Sequence, residues 1–410
     1  MRDNALASAL KRLGHDTLLI PLYTPLTTDE PDNSHSRIFF GGINVFLQQK
    51  TALFRKTPEW MDRKLDNPGL LRRAMSFGVK TEPKELGELM ISMLKGENGF
   101  QAKELKKLTG WLSGNVKPDV ICLSNVLLAG ITRKLQETLR VPVVCTLQGE
   151  DFFLDGLPQP QRTQAWELLK QRASEIDAFI AVSDYYGKIM QTRLGLNANK
   201  IHVVHNGIDV AGFSPGAVSD SAPILGYLAR MAPEKGLRTL IEAFKILRQK
   251  FPALRLYVAG SKTATDEAFV GEIQAQLKKD DLTDAVQFFP NLDKRQKIEF
   301  LRSLTVFSVP AEYGESFGLY VLEALACGVP VVQPDKGGFP EVLHATGGGL
   351  LYHAGNVADL AGKIETLLTD APARRALGAR GRSAVLETFT LEHMARNVAS
   401  VFQKVQAVKK

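Results

Sequence analysis

The sequence is poor in cysteine and histidine and has no long apolar run. Its three cysteines, Cys122, Cys145 and Cys327, make no CxxC pair and no metal-ligand spacing. They lie in apolar surroundings and read as small buried side chains. A disulfide framework does not fit such a chain; a reducing cytosol does. The seven histidines form neither a metal-ligand nor a catalytic-triad pattern, so no metal site is expected. No run approaches the roughly 20 apolar residues of a membrane helix, and no signal-peptide pattern opens the chain. The expected location is cytoplasmic. Charge of one sign is also scarce: 51 Lys and Arg face 44 Asp and Glu, a net +7. There is no concentrated basic face and no zinc-finger, basic-zipper or RNA-platform motif, so nucleic acid is not an expected partner. The small excess suits an anionic ligand or an anionic membrane surface. It equally suits a mildly basic soluble protein.

What is present is alternation. "DTLLIPLY" (16–23), "DVICLSN" (119–125), "VPVVCTL" (141–147), "DAFIAVS" (177–183) and "IHVVH" (201–205) read as strands. They are short and almost wholly apolar, as parallel strands buried on both faces are. Helical stretches separate them, among them 127–139 and 161–174. After the Pro/Gly/Ser-rich linker "FSPGAVSDSAP" (213–223) the pattern restarts. Strands are expected at 224–229, 254–260, 286–290, 306–310 and 329–334, and helices near 236–249, 266–279, 294–303 and 317–327. Such alternation means α/β with parallel sheets. The 410 residues suffice for two domains with separate cores. We expect two doubly wound domains, 1–212 and 213–385. A C-terminal segment, 386–410, carries a helix that docks on one of them. Ligands of open α/β sheets bind at the carboxyl ends of the strands, so two such domains facing each other make the expected active-site cleft.

The chain opens on a helix. Leu6, Leu10 and Leu13 have helical spacing and Gly14 suits the C-terminal cap. In a doubly wound domain a central strand and a Gly-rich turn precede this helix. The expectation is that Met1 is internal to a longer chain. A helical insertion is expected over about 50–113, opened by "IFFGGINVFLQQK" (38–50). Within it "QAKELKKLTGWL" (101–112) sets Leu105, Leu108, Trp111 and Leu112 against Lys103, Lys106 and Lys107. An amphipathic core helix is the first reading, and a membrane-surface helix the alternative.

The densest chemistry lies in "EYGESFGLYVLEALACGVPVV" (312–332). Gly314 and Gly318 let the backbone bend and approach a ligand closely. A helix starting near Phe317 points its free N–H groups at the strand ends, which makes a site for a diphosphate. Glu315 precedes the helix and Glu323 lies on its second turn, too far apart to share one small group. Each carboxylate can hold the hydroxyls of a different sugar, and a nucleotide sugar offers two.

This stretch resembles the E-x7-E motif of retaining nucleotide-sugar glycosyltransferases of the large family 4 group, the glycosyl transferases group 1. The resemblance extends in order over "KPDVICLSN" (117–125), "IAVSDYY" (180–186), "VVHNGID" (203–209), "LGYLARMAPEKGLRTLIEAF" (225–244), "LYVAGSK" (256–262) and "KGGFPEVL" (336–343). It implies the glycosyltransferase-B fold, two Rossmann-like domains with the donor bound mainly by the second. By that resemblance Glu323 hydrogen-bonds the ribose and Glu315 contacts the donor sugar. Backbone N–H groups of Phe317, Gly318 and Leu319, beside Ser316, face the phosphates and sugar. Arg230 and Lys235 match the basic pair that grips the diphosphate and stabilises the charge growing on it. The resemblance thus implies chemistry with neither metal nor cofactor. Gly226 is expected to let the first strand's end approach the phosphates. "NGID" (206–209) reads mainly as a turn, and "GGFPE" (337–341) either as a structural turn or as a wall of the donor pocket.

The chain departs from the family pattern in two places. The Gly-rich loop after the first strand has no counterpart. Gln148 stands where many relatives carry histidine, and it donates a hydrogen bond but takes no charge. Gln148, Glu150 and Asp151 are the expected acceptor-side residues; solvated loop acids are the alternative for the last two. The expected function is transfer of a sugar from a nucleoside diphosphate-sugar to a glycan, lipid or small-molecule acceptor, with retention. The rivals are a nucleotide-sugar-binding module or an inactive truncated homologue, and a nucleotide-sugar epimerase. The base, the sugar, the acceptor and the oligomeric state are not readable from one sequence.

Overall fold

The computed structural model describes residues 2–23, 32–58, 61, 65, 69, 82–216 and 222–409. The chain divides into two compact units, Met1–His205 with Met394–Lys410, and Asn206–His393. Part of the expected insertion, within 59–81, and part of the expected linker, 217–221, lie outside the described residues.

In the first unit β1 (Ile121–Leu123), β2 (Val143–Leu147), β3 (Ala178–Ala181) and β4 (Ile201–Val203) make one parallel sheet in that order. β2 and β3 are buried along their whole length, which is why their sequences show no alternation. Around them lie α1 (Arg2–Arg12), α2 (Gly42–Lys50), α3 (Pro83–Leu94), α4 (Ala102–Asn115), α5 (Thr132–Leu139), α6 (Glu150–Asp155), α7 (Gln161–Ala173) and α8 (Asp184–Leu194).

Two expectations are corrected here. Segment 16–23 is not a sheet strand. It makes isolated bridges, Leu19 with Ser34 and Leu22 with Phe39. Pro21 at its centre has no N–H for a ladder, although its carbonyl accepts from Phe39 N at 3.2 Å. The membrane-surface alternative for 101–112 also falls. Leu105, Leu108 and Leu112 of α4 are part of the unit's core, so the apolar face is covered. The buried Glu104 beneath them is held by Lys107 Nζ and by Gln48 Nε2, each at 2.7 Å. Among the described residues no helix is long and apolar enough to cross a membrane.

In the second unit β5 (Ile224–Leu228), β6 (Arg255–Gly260), β7 (Val286–Pro290), β8 (Val306–Phe307), β9 (Val331–Pro334) and β10 (Gly349–Tyr352) form a parallel sheet. The spatial order is β10-β9-β8-β5-β6-β7. In order of appearance this is the doubly wound arrangement, and β5 and β8 flank its topological switch point. β10 was not expected: four residues after a Gly-rich turn give little pattern. The helices are α9 (Leu237–Lys250), α10 (Glu267–Lys279), α11 (Lys294–Arg302), α12 (Leu319–Ala326), α13 (Phe339–Thr346), α14 (Val357–Thr369) and α15 (Ala371–Thr388). A last helix, α16, runs Leu391–Lys409. The "NGID" segment is pinned structurally, since Ile208 bridges Thr390 and a side chain on Gly207 would lie 2.2 Å from the Thr390 carbonyl oxygen.

Candidate active site

The segments that leave β5 and β8 meet at the switch point of the second unit. After β5 the chain passes through Arg230, makes a short 3-10 turn Pro233–Lys235 and turns again at Gly236. Gly236 has φ +74°, and a Cβ there would sit 1.8 Å from the carbonyl oxygen of Pro310, just beyond β8. Only glycine allows this approach, and the approach delivers Lys235 to the 310–318 loop. There Lys235 Nζ donates to Glu315 Oε2 at 2.7 Å and to the Tyr313 hydroxyl. Tyr313 and Tyr320 hydroxyls donate to the same Oε2 at 3.0 and 2.9 Å. Burial pushes the Tyr320 phenol well above its usual range, and the neighbouring Glu315 charge adds to the effect, so it stays a hydrogen-bond donor. Glu315 Oε1 makes no hydrogen bond among the described residues.

α12 starts at Leu319, two residues later than expected. Gly318 precedes it in the left-handed region, φ +84°, and a Cβ there would lie 2.8 Å from the Phe339 ring. The first-turn N–H groups are therefore those of Leu319 and Tyr320, because Val321 N bonds the Gly318 carbonyl at 2.9 Å. The Phe317 side chain is buried and packs 6.3 Å from the Phe389 ring, so it belongs to the packing beneath the loop. The Gly337-Gly338 turn after β9 packs on this loop, with Gly338 N donating to the Glu315 carbonyl at 2.7 Å. A side chain on Gly338 would reach 2.6 Å from the Ser316 carbonyl oxygen. That turn is thus a wall of the same loop.

Arg230 and Lys235 do not share a partner. The Arg230 guanidinium forks onto Asp266, Nε to Oδ1 at 3.1 Å and Nη2 to Oδ1 at 2.7 Å. Burial alone would raise the Asp266 carboxyl; hydrogen bonds from Arg230 and Thr263 overcome it and hold the group at about 2. Glu323, on the second turn of α12, pairs with Lys297 Nζ of α11 at 2.5 Å.

Gly226 is corrected. It lies inside β5, paired with Tyr257 and Phe307, and a Cβ there would meet Leu304 Cδ1 at 2.1 Å. Its glycine makes room for core packing, not for a phosphate. Lys297, Asp266, Tyr313 and Tyr320 were missed by sequence reasoning. The signal for Lys297 was present only in part. Asp293 and Gln296 spell a capping box that fixes the start of α11, but nothing in the spacing says which residue the next turn faces.

In the first unit the expected acceptor-side residues follow β2. Glu150 is buried and folded back on its own loop, accepting from Gln148 N at 2.9 Å, Gly149 N at 3.0 Å and the Tyr186 hydroxyl at 3.0 Å. Burial raises its carboxyl above the usual range against these hydrogen bonds. Gln148 Nε2 donates to the Ser124 carbonyl. Glu150 and Gln148 are therefore loop-building residues in this structure. Asp151 stands apart, half-buried, with Tyr186 holding only its main-chain N–H, at 3.2 Å.

The model of the family "Glycosyl transferases group 1" matches residues 214–384, and that of "Glycosyltransferase Family 4" matches 89–211. Residues 214–384 thus carry the glycosyl transferases group 1 domain, and residues 89–211 the family 4 domain. Among the proteins the chain resembles is a D-inositol 3-phosphate glycosyltransferase of Jonesia denitrificans, 26% identical over 61% of this chain and 61% of the relative. Another, of the same description, from Stackebrandtia nassauensis, is 30% identical over 57% of this chain and 55% of the relative. The chain thus spans less than two thirds of the length of either. A GDP-mannose-dependent phosphatidylinositol monomannoside mannosyltransferase of Corynebacterium glutamicum is 27% identical over 64% of this chain. Of solved structures, sucrose-phosphate synthase of Thermosynechococcus elongatus superposes with TM-score 0.65 at 22% identity, over 75% of this chain and 79% of that one. Anabaena HepE in complex with UDP-glucose superposes with TM-score 0.64 at 18% identity, over 94% of this chain and 99% of that one. The fold is accordingly glycosyltransferase-B, built from two Rossmann-like units.

Proposed function

We propose that the chain is a glycosyltransferase that moves a sugar from a nucleoside diphosphate-sugar to an acceptor hydroxyl, with retention and without a metal. The observation that carries the reading is the loop at the switch point. One glutamate oxygen, Glu315 Oε1, has no hydrogen-bond partner among the described residues, while Oε2 is held by Lys235 a few residues before the first turn of α12. In this reading Glu315 orients the donor sugar. Lys235, Arg230 and the α12 N-terminus receive the charge that grows on the leaving diphosphate as the glycosyl bond breaks. Those fixed cations do the work a divalent ion does elsewhere. Glu323 Oε2, also without a hydrogen-bond partner among the described residues, accepts from the ribose. Asp151 is the acceptor-side acid of the reading, since Glu150 is engaged in its own loop. The acceptor bears a hydroxyl; phosphorylated polyols and their lipids, as in the names of the relatives, are the first to try.

The test is thermal stabilisation by a panel of nucleoside diphosphates, followed by turnover of the matching sugar donor. A ligand at a hundred times its dissociation constant stabilises the fold by about 2.7 kcal/mol. We expect one diphosphate to stabilise the protein and Glu323→Ala to abolish the effect. A folded protein that responds to none of them overturns the donor site. Binding without donor turnover leaves a nucleotide-sugar-binding module.

A further inference from the structure

The first turn of α11 lies beside the proposed nucleotide site and is unusually well fixed. Asp293 Oδ1 accepts from Gln296 N at 2.8 Å, and Gln296 Oε1 accepts from Asp293 N at 3.0 Å. This reciprocal pair satisfies two orphan donors and sets the direction in which the turn's side chains leave. Two lysines three residues apart share one face of that turn. Lys294 Nζ reaches Asp209 Oδ2 of the "NGID" segment at 2.6 Å, and Lys297 Nζ reaches Glu323 Oε1 at 2.5 Å. The Lys297 and Glu323 side chains are only 20% and 16% exposed, so water screens the pair poorly and the contact is costly to break.

We propose that Lys297 is a positioning residue for nucleotide recognition: it ties down one oxygen of Glu323 so that the other is presented, in one orientation, to the two hydroxyls of a ribose. The inference rests on the donor-site reading above and deepens it. A free glutamate on a helix surface samples several rotamers and must be immobilised when it binds. Here the ammonium, bonded to Oε1, has already selected the rotamer. A carboxylate with one oxygen engaged and one open accepts from a pair of neighbouring hydroxyls. It has nothing to offer a sugar that lacks them. Lys297 thereby contributes to discrimination between ribose and deoxygenated sugars without touching either.

The test uses the full chain, with UDP and GDP and their dideoxyribose counterparts as probes, titrated calorimetrically. We expect the wild type to favour the ribose form. Lys297→Met should weaken that form by about tenfold, the loss of one charge-assisted hydrogen bond's worth of ordering. The dideoxy form should change by less than about twofold, because it makes no use of Glu323. Lys297→Arg should recover part of the loss, and it also serves if the methionine variant does not fold. Equal weakening of both forms would mean that Lys297 only props α11 against α12, and would overturn the proposal; so would no weakening of either. A wild type that binds ribose and dideoxyribose forms alike removes the ribose from Glu323 and the inference with it. Failure to bind any diphosphate points instead at the donor-site reading itself.

Discussion

Replacing Asp266 by asparagine tests the electrostatics of the site most directly. The carboxyl is held at about 2 against an ordinary value of 3.8. A depressed carboxyl stabilises the fold above its unfolded value and loses that contribution as pH falls through its folded one. At about 1.4 kcal/mol per tenfold change in proton affinity the full contribution is about 2.5 kcal/mol. Arg230 is nearly half exposed, at 47%, so solvent screening reduces this to about 1–2 kcal/mol. Asp266→Asn should therefore cost about 1–2 kcal/mol at pH 7 in urea unfolding. Roughly half of that gap should vanish by pH 3, where the wild-type unfolded chain is already mostly protonated and the folded one is not. Asparagine still accepts from Thr263, whose N and Oγ1 now bond Asp266 Oδ2 at 2.9 and 2.7 Å, so the loop should stay in place. A penalty that does not change between pH 7 and pH 3 would refute the reasoning, because it would trace the cost to packing and not to the ion pair.

Two further outcomes follow from the same site. Gly236→Ala puts an L-residue in the left-handed region and a methyl 1.8 Å from the Pro310 carbonyl oxygen. It should cost about 2–4 kcal/mol in thermal or urea unfolding and move Lys235 off Glu315. Lys235→Met should leave a folded protein whose turnover number falls by about a hundredfold or more, while Lys235→Arg retains part of it, as read in a donor-transfer assay.

Much of this was legible in the sequence, for a reason that lies in the strands. A parallel strand covered on both faces must be apolar throughout, so "VVCTL", "AFIA" and "ILGYL" announce themselves. The E-x7-E stretch was legible because its glycines and acids are local: a turn, a helix start and two carboxylates on one continuous segment. Segment 16–23 misled because an apolar run reads alike whether or not a neighbour is there to pair with it. Its proline settled the matter against the sheet. β10 escaped because four residues carry too little periodicity. Gly226 was misassigned because a glycine in a strand reads the same whether a ligand or a leucine takes the space beside it.

The sequence by itself determined the alternation, the two parallel sheets and the segment that carries the two glutamates, since each is written in residues near one another along the chain. Tertiary structure alone decided the partners. Lys235 meets Glu315 across 80 residues of chain and Lys297 meets Glu323 across 26. Arg230 meets Asp266 rather than Lys235's partner. Those pairings come from strand order at the switch point and from a glycine that lets two loops touch. Charge complementarity then selects among the groups that packing has brought within reach, which no spacing along one chain encodes.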